Sequence, residues 1–467
     1  MNPNTNPPGG TRDFLASDLR KRRAVVKIIQ EVYESFGFEP LETPAFENLS
    51  TLLGKYGDEG DQLLFRILLR GEKLQEAMRE ANSKEQTANG KKLYNLSDLA
   101  LRYDLTVPLA RVMARYAGQL PKFYKRYQIQ PVWRADRPAK GRFREFMQCD
   151  LDVCGSSSLT VETEVLAAAC TVMARLQFKD FSILLNHREV LRGLIEAAGI
   201  AAELEGTALV AVDKWDKIGK AGVAEELVQR GIALSSAQKL LALLEEANAL
   251  NDNAARLQYL RQKMKRPAAL KGLDDLQTVL QLSEATGNAN RLSLAPNRAR
   301  GLSYYTGAIF EIVVPGVSGS LGGGGRYDNL IGMFAGKNIP ACGFSLGLER
   351  ILLLLEERGW FTETNAAIDI LFMNFPENLP EILSLATRAR HAGLVCDVYP
   401  EAANLKAQFN YAAARQVRYV AFFGQREQEM GKLRLKDQGN GNETSISTSE
   451  LENALKRFLV PGMESSL

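Results

Sequence analysis

The sequence predicts an α+β chain in which a strand-bearing core is interrupted by a helical insertion and followed by a separate α/β unit. Three observations carry this. Strand-type segments lie on both sides of a middle stretch, at 101–153 and again at 300–347. Between them, from about Val190 to Leu292, Leu, Ala, Glu and Lys dominate and helical stripes recur, as in Leu240, Leu241, Leu243, Leu244 and Leu250. From Ile368 onward strand and helix patterns alternate in βαβαβ order, which implies a mainly parallel or mixed sheet covered by helices.

In chain order, Leu19–Phe36 carries a helix-period apolar stripe, with Ser17 placed to cap its start and Gly37 to end it in the left-handed conformation. Phe38–Phe46 is extended but holds Pro40 and Pro44; proline lacks an N–H, so this run belongs at a sheet edge or an interface. Leu101–Thr106 reads as a polar strand fragment with Arg102, Asp104 and Thr106 on one face, and Pro108 opens a helix over Leu109–Tyr116. The basic, aromatic run Lys122–Tyr127 leads into two strands, Val132–Asp136 and Phe143–Val153, joined by the turn Arg137–Arg142. Alternation puts Phe143, Glu145, Met147, Cys149, Leu151 and Val153 on one face of the second strand, and Arg144, Phe146, Gln148, Asp150 and Asp152 on the other. Arg134 and Asp136 line up beside the polar face. Taken alone, such a hairpin equally suits a plain solvated surface.

Leu159–Leu176 is an amphipathic helix and Phe181–Asn186 a short strand. In the helical stretch, Lys214, Lys217, Lys220, Arg261, Lys263, Lys265 and Arg266 could meet phosphates, although a solvated face explains each of them as well. Strand texture returns at Arg300–Val314. Ser318–Tyr327 contains four consecutive glycines, which suit either a close backbone approach to a ligand or a flexible loop. Cys342–Leu355 turns from strand to helix through Gly347, with Glu349 and Arg350 at the junction. The last unit, after Glu363–Ala367, contains no Walker or dinucleotide fingerprint, which favours a binding module over a second active site.

Composition narrows the class. The 467 residues exceed one ordinary core, and 45% hydrophobic and 24% charged residues suit a soluble globular protein. No apolar run approaches the ~20 residues needed to span a bilayer, and Met1–Gly10 lacks the apolar centre of a secretory signal. Five scattered cysteines without a CxxC pair argue for a reduced, cytoplasmic setting, and only two histidines, His187 and His391, disfavour a His-based triad or metal centre. A net charge of +3 leaves any nucleic-acid contact to local basic patches.

Several ordered segments together resemble the class II aminoacyl-tRNA synthetases, and within them the histidyl-tRNA synthetase family. Phe38–Phe46, with Pro44, resembles the dimer-forming first class motif, Arg134–Gly155 the second and Gly343–Arg350 the third. Arg300–Gly307 (RGLSYYTG) and Gly322–Tyr327 (GGGGRY) resemble the two histidine-specific signatures, and Asp104–Thr106 the segment holding the amino group of the amino acid. The resemblance implies an antiparallel-sheet catalytic core at 1–190 and 293–362, a helical insertion at 191–292 that reaches the tRNA acceptor arm, and an anticodon-binding α/β domain at 366–467. It implies a homodimer that joins L-histidine to tRNA(His) using ATP with Mg²⁺, through histidyl-adenylate and release of pyrophosphate.

The same resemblance implies residue roles. Arg134 and Arg300 would be the catalytic cations at the α-phosphate, with Arg134 also meeting the histidine carboxylate. Asp104, Leu105, Thr106 and Gln148 would hold the amino end of histidine, and Asp152, Tyr304 and Tyr305 its imidazole. Asp136 and Arg142 would serve ATP, Arg142 at the distal phosphates, while Phe146 and Arg350 sandwich adenine. Glu349 is the candidate Mg²⁺ ligand. The chain departs from the family pattern at Ser303, where Asp is frequent, at Asp136 and Asp152, where Glu is frequent, and at Ala139 in the turn, where other members carry a longer polar residue.

Overall fold

The computed structural model describes residues 4–83, 96–299, 304–317, 319–361 and 368–459. Two compact units are present, residues 1–358 and residues 359–467.

In the first unit the strands are β1 (Glu39–Pro40), β2 (Phe46–Asn48), β3 (Arg66–Leu68), β4 (Ser97–Leu101), β5 (Tyr124–Trp133), β6 (Glu145–Cys154), β7 (Ser182–His187), β8 (Leu292–Leu294), β9 (Ala308–Val313), β10 (Gly322–Arg326) and β11 (Ala341–Gly347). Eight of them form one sheet in the order β1-β5-β6-β11-β10-β9-β7-β8. Pairing is antiparallel from β5 through β7, with β1 and β8 added in parallel at the two edges. The edge position of β1 matches its proline. Strands β2, β4 and β3 make a small separate sheet.

Helices Ala16–Ser35, Thr160–Arg175, Pro267–Ala285 and Leu348–Glu357 pack on one face of the large sheet. Against them β6 buries Cys149, Leu151 and Val153, the face that alternation assigned to the core. Tyr33 Oη, from the first helix, donates to Cys149 O at 3.1 Å. The first helix starts two residues earlier than a Ser17 cap would set it: Leu15 is its N-cap, with no side-chain bond, so the Ser17 cap is not formed. Gly37 ends it at φ +76°, as expected.

The segment 102–105 is not a strand. After β4 the chain turns and enters a helix, Thr106–Arg115, so Arg102 and Asp104 do not share a strand face. Arg102 is instead buried, donating to the carbonyls of Thr43, Pro44 and Pro131. The hairpin also shifts: β5 begins at Tyr124, and Arg134 and Asp136 fall in the connection beyond its end.

The glycine run is a strand, not a flexible loop. β10 lies between β9 and β11 and is buried throughout. A Cβ on Gly324 would overlap Gly343 O, and one on Gly322 would stand 2.7 Å from Ser345 O. Close strand approach therefore requires glycine.

The helical stretch begins at Arg188, directly after β7, with helices at Arg188–Ala197, Glu205–Val212, Trp215–Gln229, Leu234–Asn248, Asn253–Lys263 and Pro267–Ala285. Its last helix returns to pack on Thr160–Arg175, β7 and β9, and Gly272 sits against the ring of buried His187. Most of its basic side chains have acidic partners, among them Lys214–Glu226 at 2.6 Å and Arg261–Asp274 at 2.6 Å, in keeping with a solvated face.

The second unit contains β12 (Ile370–Phe372), β13 (Cys396–Val398), β14 (Tyr419–Phe422), β15 (Lys432–Asp437) and β16 (Glu443–Ser447), in the order β13-β12-β14-β15-β16. The first three pair in parallel and the last two antiparallel, a mixed sheet. Apolar clusters on both faces, around Phe372 and Leu433 and around Leu371 and Val420, hold it together. Asn404 caps the helix Leu405–Ala414 by accepting from Ala407 N at 2.9 Å.

Candidate active site

The face of the large sheet opposite its covering helices is polar and poor in side chains. Register places three rows across it. Gln130, Gln148 and Gly347 form one; Gln128, Asp150, Ser345, Gly323 and Glu311 the next; Arg126, Asp152, Gly343 and Gly325 the third. The glycines leave the floor open where the other residues provide charge. A cavity of about 920 Å³ stands over this floor. It is walled by the 134–143 connection, Asp104 and Thr106, Tyr304 and Tyr305, residues 297–299, and the start of the helix holding Glu349 and Arg350. Val212, Asp213 and Trp215 of the helical stretch complete the wall.

Three aspartates face this space while almost fully buried. Asp104 Oδ1 accepts from Tyr56 Oη at 3.0 Å and Val107 N at 3.1 Å, and its Oδ2 from Tyr304 Oη at 3.3 Å. Asp152 Oδ2 lies 2.7 Å from Arg126 Nη2, and its Oδ1 accepts a very short bond from Tyr327 Oη. A Cβ on Gly343 would overlap Asp152 Oδ1, so this glycine makes room for the carboxylate. Burial pushes the pKa values of Asp104, Asp150 and Asp152 up, and Arg126 opposes the rise at the latter two. Asp150 Oδ1 and Gln148 Oε1 have no hydrogen-bond partner among the described residues. A buried acceptor in that state costs on the order of 1–3 kcal/mol, so the floor is arranged for a donor from outside the chain.

Cations line the same cavity. Arg134 Nε donates to Tyr103 O at 3.1 Å, and its guanidinium lies 4.2 Å over the Tyr103 ring and 5.2 Å from that of Phe146. Arg142 Nη1 is 3.8 Å from Asp136 Oδ1. Arg350 Nη1 donates to Ser320 O at 2.7 Å. Fixed guanidiniums above a carboxylate-lined floor suit a ligand with phosphate at one end and N–H donors at the other.

The cavity therefore brings together Asp104, Thr106, Arg134, Asp136, Arg142, Phe146, Gln148, Asp152, Tyr304, Tyr305, Glu349 and Arg350. One expected residue, Leu105, stands apart. It is fully buried and does not line the cavity; its carbonyl accepts from Arg126 Nη2 at 3.2 Å. Arg300 and Ser303 lie outside the described residues. Glu349 lines the cavity, but both its oxygens are engaged: Oε1 with Arg22 at 2.9 Å and Oε2 with Met147 N at 3.0 Å. Among the described residues no group of three His, Cys, Asp or Glu side chains could hold a metal. Glu349, the expected Mg²⁺ ligand, is thus already satisfied from within the chain.

The sequence pattern gives no site role to Arg126, Tyr56, Ser345 or Asp150, and names Tyr327 only as part of the GGGGRY signature. Alternation through Arg126, Gln128 and Gln130 was the available signal, and extending the first hairpin strand back to Tyr124 would have used it.

The family model described as histidyl-tRNA synthetase matches residues 72–351, and one described as anticodon binding domain matches residues 366–458. The histidine–tRNA ligase of Christiangramia forsetii is 41% identical over 456 residues, covering 96% of this chain and 98% of that protein. That of Cytophaga hutchinsonii is 40% identical over 453 residues, with the same coverage of 96% and 98%. The crystal structure of histidyl-tRNA synthetase from Nostoc sp. PCC 7120 superposes with a TM-score of 0.78 at 29% identity, over 98% of this chain and 100% of that one.

Proposed function

The chain belongs to the histidyl-tRNA synthetase family of ATP-dependent histidine–tRNA ligases, and on that premise we propose how its own residues divide the work. The reaction joins L-histidine to tRNA(His) in two steps. A histidine carboxylate oxygen first attacks the α-phosphorus of ATP, and the bond to pyrophosphate breaks. The histidyl group of the resulting adenylate then passes to tRNA and AMP leaves. Charge builds on phosphate oxygens in the first step, so preorganised cations, rather than a protein nucleophile, are what catalysis needs.

Arg134 and Arg300 supply those cations, and Arg142 steadies the distal phosphates with Asp136 beside it. Adenine lies between Phe146 and Arg350. Asp104, Thr106 and Gln148 receive the ammonium of histidine; Asp152, Tyr304 and Tyr305 face its imidazole. A site that pairs both ring nitrogens rejects apolar analogues, because its own buried groups would otherwise go unpaired. Mg²⁺ would accompany ATP as the counter-cation of its phosphates and would supply charge neutralisation there, while both Glu349 oxygens are already engaged, by Arg22 and Met147 N.

The observation that carries this reading is one cavity lined by Asp104, Arg134, Gln148, Asp152, both tyrosines and Arg350. The deciding assay is ATP–pyrophosphate exchange with each amino acid in turn. Histidine alone should stimulate it; stimulation by another amino acid, or by none, would refute the assignment.

The working form we propose is a cytoplasmic homodimer. The edge strand β1 and the exposed Phe46, 51% accessible, support a dimer. No helix among the described residues is long and apolar enough to cross a membrane. The helical stretch, proposed domain 191–292, faces the acceptor arm of the tRNA, and the unit at 366–467 its anticodon.

A further inference from the structure

Among the charged groups of the cavity floor that the roles above do not use is Asp150. It sits on β6 between Gln148 and Asp152, on the same face, opposite Gln128 of β5 and Ser345 of β11. It is 2% exposed, it lines the cavity, and its Oδ1 has no hydrogen-bond partner among the described residues. The Ser345 hydroxyl bonds to the same carboxylate. One step along the face, Gln148 Oε1 is also without a partner among the described residues. The two neighbouring carboxylates differ from it. Asp152 is already held by Arg126 and Tyr327, and Asp104 already receives three donors.

Two buried acceptors on one strand face call for a ligand group that offers several N–H bonds from one atom. An α-ammonium does this, with three. Residues i and i+2 on a strand stand about 7 Å apart, a spacing from which a glutamine and an aspartate side chain can converge on a single nitrogen. A charged acceptor is also the stronger partner for a cation.

Resting on the reading of this cavity as a histidine site, we propose that Asp150 is a specificity-determining residue whose carboxylate is the charge partner of the amino acid's α-ammonium, with Gln148 as its neutral companion. Asp104, largely saturated by Tyr56, Val107 and Tyr304, adds a weaker contact. The electrostatics agree with the geometry. Burial raises the pKa of Asp150, Arg126 opposes this, and Asp152 and Asp104 push it further up. The groups facing it are therefore Arg126 and Gln128 on β5, Asp152 on β6, Ser345 on β11, and Asp104 before the helix at Thr106. A bound ammonium favours the ionised form, so histidine should bind less well as acid protonates Asp150.

Calorimetry on the full chain tests this with three ligands: L-histidine, 3-(imidazol-4-yl)propionate, which lacks the amino group, and ATP. Asp150→Asn should weaken histidine by about 10- to 100-fold and leave imidazolepropionate and ATP within about threefold. Histidine affinity within about threefold of wild type, or equal loss for both imidazole ligands, overturns the proposal. Failure of the wild-type chain to bind histidine at all would overturn the reading of the cavity itself. If the variant loses ATP binding as well, and so has not folded, the wild type decides. Its preference for histidine over imidazolepropionate should shrink from about pH 8 to about pH 6, where a raised carboxylate takes up its proton; a constant preference overturns the proposal.

Discussion

Gly343→Ala is a test of how tightly the imidazole end of the site is built. Gly343 pairs directly with Asp152 on the neighbouring strand. A Cβ there would overlap Asp152 Oδ1, approach Asp152 Cγ to 2.5 Å and Leu151 O to 2.8 Å. The strand cannot retreat, because β10 lies on its other side. The carboxylate must therefore swing away by an ångström or more (about one van der Waals overlap), breaking the Tyr327 bond and opening the 2.7 Å contact with Arg126. Arg126 is 0% exposed, so its charge would then be left in the protein interior without its partner. Breaking a buried pair in this way costs about 3–5 kcal/mol. Denaturant unfolding should show a loss of that order, and histidine binding should weaken at least about 100-fold, while ATP binding should be retained if the proposed division of the cavity holds. A double-mutant cycle isolates the cause. In an Asp152→Ala background the clash with the carboxylate is gone, so the added cost of Gly343→Ala should fall by about 1–3 kcal/mol. A coupling energy near zero would refute the argument that this glycine exists to seat Asp152.

Three further outcomes follow from the same reasoning. Arg300→Ala should lose about 2–4 kcal/mol of transition-state stabilisation while still binding histidine, and near-normal histidine-dependent pyrophosphate exchange would show its role to be misassigned. Burial pulls His187 down to about 4, with Asp275 opposing. The folded chain then binds fewer protons than the unfolded one between pH 6.5 and about 4, so up to about 3 kcal/mol of stability is intact above that window and lost as pH falls through it. In His187→Asn, which can keep the helix cap on Glu189 N, urea midpoints should change less across that range; an unaltered slope would clear His187 of the effect. Phe46→Glu should shift light scattering from dimer to monomer mass, whereas an unchanged mass would place the interface elsewhere.

Much of the architecture was legible because periodicity is local. Alternation along 143–153 separated the buried Cys149, Leu151 and Val153 from Gln148, Asp150 and Asp152, and the same sorting holds in the folded sheet. The strand-to-helix turn at Gly347 and the βαβαβ order of the last unit were likewise visible, since each depends on residues adjacent in the chain. Boundaries slipped where a tertiary contact overrode the local pattern. Arg102 is drawn inward by three carbonyls from Thr43, Pro44 and Pro131, so 102–105 turns instead of extending.

What the amino-acid order determined by itself was which faces exist and which motifs recur in sequence. Only the tertiary structure decided which faces meet. Asp152 is paired by Arg126 across the hairpin and by Tyr327 from far along the chain, and Glu349 is occupied by Arg22 from the first helix. The glycine run is a strand because β9 and β11 close in on it from both sides. The physical reason is common to all three. A residue's own neighbours set its backbone period, but whether its charge is met or its missing side chain is needed depends on which distant strand is brought alongside.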